Sequence, residues 1–120
     1  MTLDAIRQYC LKKPGKIKED FPFDEEVLVL RVNGKIFLLT SLYDRPLAVN
    51  LKADPEQAIE WREQYEAVQP GYHMNKKHWN TVTLDGSISR QTILKMIDHS
   101  FEQVVKGLKK PEREKILKHL

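Results

Sequence analysis

The alternation of apolar and polar residues is clearest in two short runs in the first half of the chain. Val27 to Val32 and Lys35 to Thr40 are rich in β-branched and large apolar residues, and only Asn33-Gly34 separates them. Asparagine and glycine tolerate positive φ at both central positions of a type I′ turn, whose twist suits paired antiparallel strands. The pattern therefore predicts a β-hairpin that turns at Asn33-Gly34.

Other segments have the period-two pattern of strands with one buried face. In Leu47 to Lys52 the apolar positions alternate with Asn50 and Lys52, which we expect to point away from the core. Trp79 to Asp85 alternates in the same way before a turn. Ile17 to Glu26 contains proline between two phenylalanines, and proline is confined to sheet edges, so we expect an edge segment with both rings anchored.

Helical spacing occurs at both ends of the chain and once in the middle. Thr2 is a candidate N-cap for a first helix that stops at Pro14-Gly15, and Asp54-Pro55 begins a second that reaches about Glu66. Pro111 opens a short charged helix at the end of the chain. The longest helical stripe follows the cap Ser89, has a candidate break at Asp98-His99-Ser100, ends at Gly107 and contains Ile93, Leu94, Ile97, Phe101, Val104, Val105 and Leu108.

This order of elements identifies the fold class. A helix is followed by antiparallel strands, another helix, a strand and further helices, with no repeating βαβ unit. We therefore predict an α+β fold with a single antiparallel sheet and helices packed on it. The length of 120 residues and the lack of a long linker predict one domain over 1–120.

Composition narrows the class of protein. The net charge is +3, but residues 1–66 contain ten Lys/Arg against twelve Asp/Glu, whereas residues 67–120 contain ten against five. Any attraction for phosphate is therefore expected in the second half. The single Cys10 forms no internal disulfide, and the first ten residues lack a signal-peptide pattern, so we expect a cytoplasmic protein with no membrane partner.

One stretch of thirteen residues, from Pro70 to Val82, holds an unusual density of groups suited to recognition. It includes two of the four histidines, one of the two tryptophans, a tyrosine and a lysine pair, without any carboxylate. Lysines neutralise phosphates, an asparagine amide bonds to bases, and aromatic rings stack on them. The candidate contacts, with two outward residues of the preceding strand, are Asn50, Lys52, Tyr72, His73, Asn75, Lys76, Lys77, His78 and Trp79.

Each of these residues also has a structural interpretation. Trp79 is suited to a supporting position in the core, and Lys76 and Lys77 to simple solvation. We expect the two lysines to be exposed, Trp79 to be mostly buried, and His73 or His78 to make a fixed hydrogen bond. Arg62, beside the apolar stripe of the second helix, is expected to be a satisfied rim residue rather than a ligand contact.

Enzymatic and metal chemistry have little support in the sequence. His73 and His78 have no neighbouring carboxylate or cysteine, whereas zinc sites need three or four ligands. No activated serine or cysteine context and no glycine-rich phosphate loop is present. We therefore predict no catalytic residue, no metal and no cofactor.

Several segments resemble the MmcQ/YjbR family. They include Phe21-Pro22-Phe23-Asp24, Gly34-Lys35-Ile36-Phe37, Val49-Asn50-Leu51-Lys52, Leu84-Asp85-Gly86, the tail Ser100 to Leu108 and, above all, the whole stretch from Pro70 to Val82. The resemblance implies a small bacterial cytoplasmic protein with the double-wing fold of the CyaY-like proteins. It also implies DNA binding, the label that the family commonly carries. Ser89 departs from a proline frequent in the family.

Two functions remain open at this point. The first is a non-enzymatic DNA-binding protein whose contact surface is the Tyr72 to Trp79 loop together with Lys52. The alternative is a protein that binds, or an enzyme that acts on, a small anionic ligand in a pocket built from His73, Asn75, His78 and Trp79. The sequence leaves the oligomeric state open.

Overall fold

The computed structural model describes residues 1–71 and 74–120 as six strands and four helices. The strands are β1 (Ile17–Asp20), β2 (Val27–Val32), β3 (Lys35–Ser41), β4 (Ala48–Lys52), β5 (Val68–Pro70) and β6 (Trp79–Thr83). The helices are α1 (Leu3–Leu11), α2 (Pro55–Gln64), α3 (Arg90–Lys106) and α4 (Lys110–Leu117). The strands form one antiparallel sheet in the order β1-β2-β3-β4-β6-β5, so the predicted α+β fold is confirmed.

The hairpin is present as predicted. Val32 pairs with Lys35, and the two turn residues have positive φ, 48° at Asn33 and 86° at Gly34. Asn33 also holds the segment just before β1, because its Oδ1 accepts the Lys16 N–H at 2.9 Å. The turn residues therefore set both the strand register and the position of the segment that enters β1.

The helix boundaries follow the caps that the sequence supplies. Thr2 accepts the Ala5 N–H, Asp54 accepts those of Glu56 and Gln57, and Ser89 accepts that of Thr92. Each side-chain oxygen thus satisfies a donor that the first helical turn leaves free. The candidate break at Asp98-His99-Ser100 is absent, since α3 continues through it to Lys106.

The helices pack on one face of the sheet, where they share a single hydrophobic cluster with it. Phe101 of α3 is fully buried and meets Phe37 of β3 edge to face, with ring centroids 5.3 Å apart. Ile6 of α1 and Ile116 of α4 join the same cluster. The opposite face of the sheet carries no helix in the described part of the chain. This helix-free face includes three residues that pair across neighbouring strands: Leu39, Asn50 and Thr81.

One expectation about the edge regions is wrong, and one edge strand lies outside the predicted elements. β1 is an edge strand as predicted, but the rings that follow it are not anchored, because Phe21 is 46% and Phe23 66% exposed. The three-residue strand β5 was not predicted. A strand of this length is too short to show an alternating pattern in the sequence. β5 is recognised as a strand only because it pairs with β6.

Candidate nucleic-acid interface

The loop between β5 and β6, of which the structure describes Gly71 and residues 74–78, closes tightly at its base. The Gly71 N–H donates to the Trp79 carbonyl at 2.8 Å. A Cβ on Gly71 would lie 2.9 Å from both the Cβ and the carbonyl oxygen of Trp79, closer than side chains normally approach. Only glycine therefore permits the two arms of the loop to meet at this distance.

Asn75 organises the tip of the loop. Its carbonyl accepts the N–H groups of His78 and Trp79 at 3.1 and 3.0 Å, and its Oδ1 accepts the Lys77 N–H at 3.0 Å. This is the local side-chain hydrogen bonding that makes asparagine a turn residue. Asn75 thereby presents Lys76 and Lys77, both exposed, on a defined turn, and its amide oxygen is engaged within the protein.

Arg62 of α2 holds the loop from beneath. Its Nε donates to Asn80 Oδ1 at 2.6 Å, and its Nη2 donates to the carbonyls of Lys76 and, at 3.3 Å, Trp79. Asn80 is only 2% exposed and donates its Nδ2 to the Ala58 carbonyl at 3.3 Å. The hydrogen-bonding groups of Arg62 thus have partners, as expected of a rim residue, but these partners belong to β6 and the loop. Arg62 and Asn80 are therefore positioning residues of the candidate site.

The sequence itself contains a signal for the contact between Arg62 and Asn80. In β6, Asn80 occupies the same face as buried Val82, so the alternating pattern places a polar amide in the core. A buried amide needs hydrogen-bond partners, and the candidates are long polar side chains on a packed helix. Arg62, beside the apolar stripe of α2, is such a side chain.

The end of β4 borders the loop on its other side. Lys52 pairs in register with Trp79, and the Ala53 N–H donates to the His78 carbonyl at 2.8 Å. The Lys52 N–H donates to the buried Ser100 Oγ at 2.8 Å, and that hydroxyl donates to the Phe37 carbonyl at 2.6 Å. Helix α3 therefore fixes the backbone at Lys52, and Lys52 lies beside the loop as expected.

The structure brings together part of the predicted set. Lys76 and Lys77 are exposed and Trp79 is mostly buried, both as expected, and the side chain of His78 makes no hydrogen bond to any described residue. Tyr72 and His73 lie outside the described residues. Asn50 lies farther along β4, where its Oδ1 accepts the Thr81 hydroxyl at 2.6 Å, so it belongs to the helix-free face rather than to the loop.

That face carries a groove of about 720 Å³. Its described lining is chiefly apolar, with Phe23, Val27, Leu39 and Ala48 in its walls, and Met74 contributes from the β5–β6 loop. Asp44 is the charged residue among the described lining. The groove is therefore suited to apolar groups and unfavourable for anions.

The described part of the chain bears on metal ligation, on the state of the cysteine and on membrane spans. No group of three or more His, Cys, Asp or Glu residues is placed to hold a metal ion among residues 1–71 and 74–120. Cys10 is fully buried, and burial raises the pKa of its thiol to about 12, which keeps it protonated. No helix in these ranges is long and apolar enough to cross a membrane.

The strand directions separate the charges at the two ends of the sheet. The end that carries the β5–β6 loop also carries Lys16 before β1, Lys35 at the start of β3 and Lys52 at the end of β4, with the carboxylate of Asp54 just after β4. The other end carries Arg45 and a larger set of carboxylates: Asp20, Asp24, Glu25, Glu26, Asp44 and Asp85. Positive charge therefore predominates at the first end and negative charge at the second, and we name them the basic end and the acidic end.

His99 of α3 is a titratable residue at the basic end, and its surroundings favour the neutral form. The Asp54 N–H donates to His99 Nε2 at 3.1 Å, which requires that nitrogen to be unprotonated, and the ring meets Trp61 edge to face at 5.2 Å. Burial lowers the pKa of His99 below 6.5, with Lys106 acting in the same direction and Glu102 and Asp54 against it. The folded protein therefore resists protonation at this site.

This lowered pKa predicts a loss of stability in mild acid. The unfolded chain takes up the proton more readily, so the contribution of His99 is complete above its unfolded pKa of about 6.5 and declines as pH falls below it. We expect the Tm to fall more from pH ~7.5 to ~5.5 in the native protein than in His99→Gln, whose amide oxygen still accepts the Asp54 N–H. Parallel Tm profiles, with exposed His119→Gln as control, would contradict this.

Comparison with known proteins places the chain among bacterial relatives. The YjbR family model matches residues 11–103. The chain is 36% identical to the uncharacterized protein YjbR of Escherichia coli K12 over 120 residues, all of both chains, and 38% identical to the uncharacterized protein YbdF of Escherichia coli O157:H7, over 80% of this chain and 79% of that one.

Solved structures share the fold. The crystal structure of Deinococcus radiodurans protein DR2400, with a domain named DUF419, matches with a TM-score of 0.89 and 39% identity, over 96% of this chain and 87% of that one. A protein from Pseudomonas syringae matches with a TM-score of 0.74 and 29% identity, over 87% of this chain and 99% of that one. Their likeness supports the sheet order and the helix placement described above.

Proposed function

The chain belongs to the YjbR family, and we propose that it binds DNA by placing Lys76 and Lys77 against backbone phosphates. The observation that carries the proposal is the pair of exposed lysines on a backbone to which Asn75 and Arg62 make hydrogen bonds. A cation on an ordered loop loses less conformational freedom on binding than one on a mobile tail. The loop is therefore suited to phosphate contact.

Surrounding charge supports the same surface. Lys52 lies across the sheet register from Trp79, and Lys16 and Lys35 lie at the same end of neighbouring strands. Strands lie about 4.8 Å apart, so from β1 to β4 this row of cations extends across roughly 14 Å. A row of that length can meet several phosphates of one duplex and exceeds what a single small anion needs.

The geometry favours phosphate contact over reading of base sequence. A bidentate contact to adenine needs both the oxygen and the nitrogen of an asparagine amide. The Asn75 oxygen already accepts the Lys77 N–H, and the Asn50 oxygen accepts the Thr81 hydroxyl. Lysine contacts to phosphate carry no sequence information, so we propose binding that depends on salt and little on sequence.

The anionic-ligand alternative has weaker support. It needs a pocket shared by His73, Asn75, His78 and Trp79, whereas the groove beside the loop has Met74 as its described loop residue. That groove is mostly apolar, and its described charge is the carboxylate of Asp44, which repels anions. It gives no reason to prefer a small anion to DNA.

A direct binding assay tests the proposal. A labelled duplex of mixed sequence, about 25 base pairs long, is titrated with the protein at ~50, ~100 and ~200 mM salt. We expect binding that weakens steeply with salt and a log–log slope of about −2 to −4, because each neutralised phosphate contributes roughly −0.9. A second duplex of shuffled sequence should bind equally. Absence of binding at ~50 mM salt would refute the proposal.

A further inference from the structure

A cleft of about 680 Å³ lies at the basic end, apart from the β5–β6 loop. It is enclosed by the turn between α1 and β1, the β2–β3 turn and α4. Its basic lining residues are Lys12, Lys16, Lys115 and His119, and Glu112 is the carboxylate in its described wall. From this cleft we propose a separate binding site for a phosphate group.

The walls of the cleft are held in place by packing and backbone hydrogen bonds. Gly15 has φ +96°, and a Cβ there would lie 3.0 Å from both Ile116 Cδ1 and Val32 Cγ2. Ile116 is 3% exposed, so α4 docks on this turn through a buried side chain. Lys16 and Asn33 exchange two further hydrogen bonds of 2.9 Å. The cleft is therefore a fixed feature of the fold.

The polar groups in this cleft are available to a ligand. The ammonium groups of Lys12, Lys16 and Lys115 make no ion pair or hydrogen bond with any residue that the structure describes. The Asn33 side-chain amide uses its oxygen for the Lys16 N–H, and its NH₂ donates to no residue that the structure describes. Three ammonium groups and an amide donor thus border one cavity.

The charge balance selects the class of ligand. Three lysines against one glutamate give the lining a charge of +2 with His119 neutral, and carboxylate-poor sites with several lysines suit multiply charged anions. Lysine acts as a mobile point charge, which suits the oxygens of phosphate more than a planar carboxylate. The site therefore takes a phosphate or diphosphate group, carried either by DNA bound at the loop or by a free phosphorylated molecule.

Titration with inorganic pyrophosphate tests the site without DNA. In the ¹⁵N-labelled protein we expect saturable amide shifts at Gly15, Lys16 and Asn33. The double variant Lys16→Ala/Lys115→Ala changes two exposed residues and should bind pyrophosphate at least about tenfold more weakly, since it loses two charge-assisted contacts. Glu112→Gln should bind more tightly because it removes the opposing carboxylate.

Two charge-matched variants make the result specific. Lys109→Ala/Lys110→Ala changes exposed lysines of the α4 region outside the described lining of the cleft, and Lys76→Ala/Lys77→Ala changes the loop. Both should retain pyrophosphate binding. Absence of saturable shifts in the native protein, or equal losses in all three double variants, would overturn the proposal.

A DNA arm identifies the source of the phosphate. If Lys115→Ala, which leaves the row of cations proposed above intact, lowers the salt slope for duplex binding by about one, the cleft receives a DNA phosphate. If Lys115→Ala weakens pyrophosphate binding and leaves DNA affinity unchanged, the cleft serves a free phosphorylated molecule. The pyrophosphate titration needs no DNA. Its result therefore tests the phosphate site in the cleft even if the protein does not bind DNA.

Discussion

Replacement of Arg62 by alanine is expected to destabilise the protein and to weaken DNA binding together. The change removes the donors to Asn80 Oδ1 and to the carbonyls of Lys76 and Trp79. Asn80 is 2% exposed, so its oxygen is left buried without this partner. Loss of a charged donor to a buried acceptor costs about 2–3 kcal/mol, or roughly 10 °C in Tm for a domain of this size.

The effect on DNA should arise through the loop. Amide exchange at residues 75–78 should accelerate in Arg62→Ala, and DNA affinity should fall although Lys76 and Lys77 are unchanged. Arg62→Lys retains the charge but not the planar fork, so it should restore little of either property. Arg90→Ala, at an exposed arginine, is the control. Unchanged loop exchange in Arg62→Ala would contradict the positioning role.

The double variant Lys76→Ala/Lys77→Ala is expected to lose most DNA affinity without loss of stability. Both side chains are exposed, and surface substitutions of this kind change the free energy of unfolding by less than about 0.5 kcal/mol. Two lost phosphate contacts lower the salt slope by about 1.8. Extrapolated from molar salt, this amounts to roughly a two-hundredfold loss at ~50 mM and a twentyfold loss at ~200 mM.

Lys109→Ala/Lys110→Ala gives the matched control for net charge. It removes the same two charges from another exposed pair, whose described ion pair is the exposed 3.9 Å contact of Lys110 with Glu114. If long-range charge alone drives binding, the two double variants behave alike. If Lys76 and Lys77 contact phosphates directly, the salt slope of DNA binding should fall much more in Lys76→Ala/Lys77→Ala than in Lys109→Ala/Lys110→Ala. Equal salt slopes in the two variants would exclude direct contact.

The sequence was most informative where one short pattern has one structural solution. Asn33-Gly34 between two β-rich runs allows little besides a type I′ hairpin, and the structure contains this hairpin with the predicted strand ends to within a residue. The caps Thr2, Asp54 and Ser89 likewise begin the predicted helices. These signals are local, since each depends on residues within one turn or hairpin.

The candidate site was predictable only in part because its construction is not local. The Lys76 and Lys77 exposure follows from a polar loop, whereas the Arg62–Asn80 contact joins residues 18 positions apart. The basic end is harder still to predict from the sequence. Its residues Lys16, Lys35 and Lys52 are far apart in the chain, and only the strand directions bring them to the same end of the sheet. Net charge and its division between halves of the chain gave no sign of it.

Backbone amide shifts during titration with duplex DNA test the central claim most directly. In ¹⁵N-labelled protein at ~50 mM salt, we expect the largest shifts at Asn75, Lys76, Lys77 and Lys52, with little change at the acidic end. Shifts of this kind should be reversed by ~300 mM salt, because phosphate contacts are screened. If the amides of the β5–β6 loop do not shift, or if the changes are confined to the helix-free groove around Leu39 and Ala48, the proposed interface is contradicted.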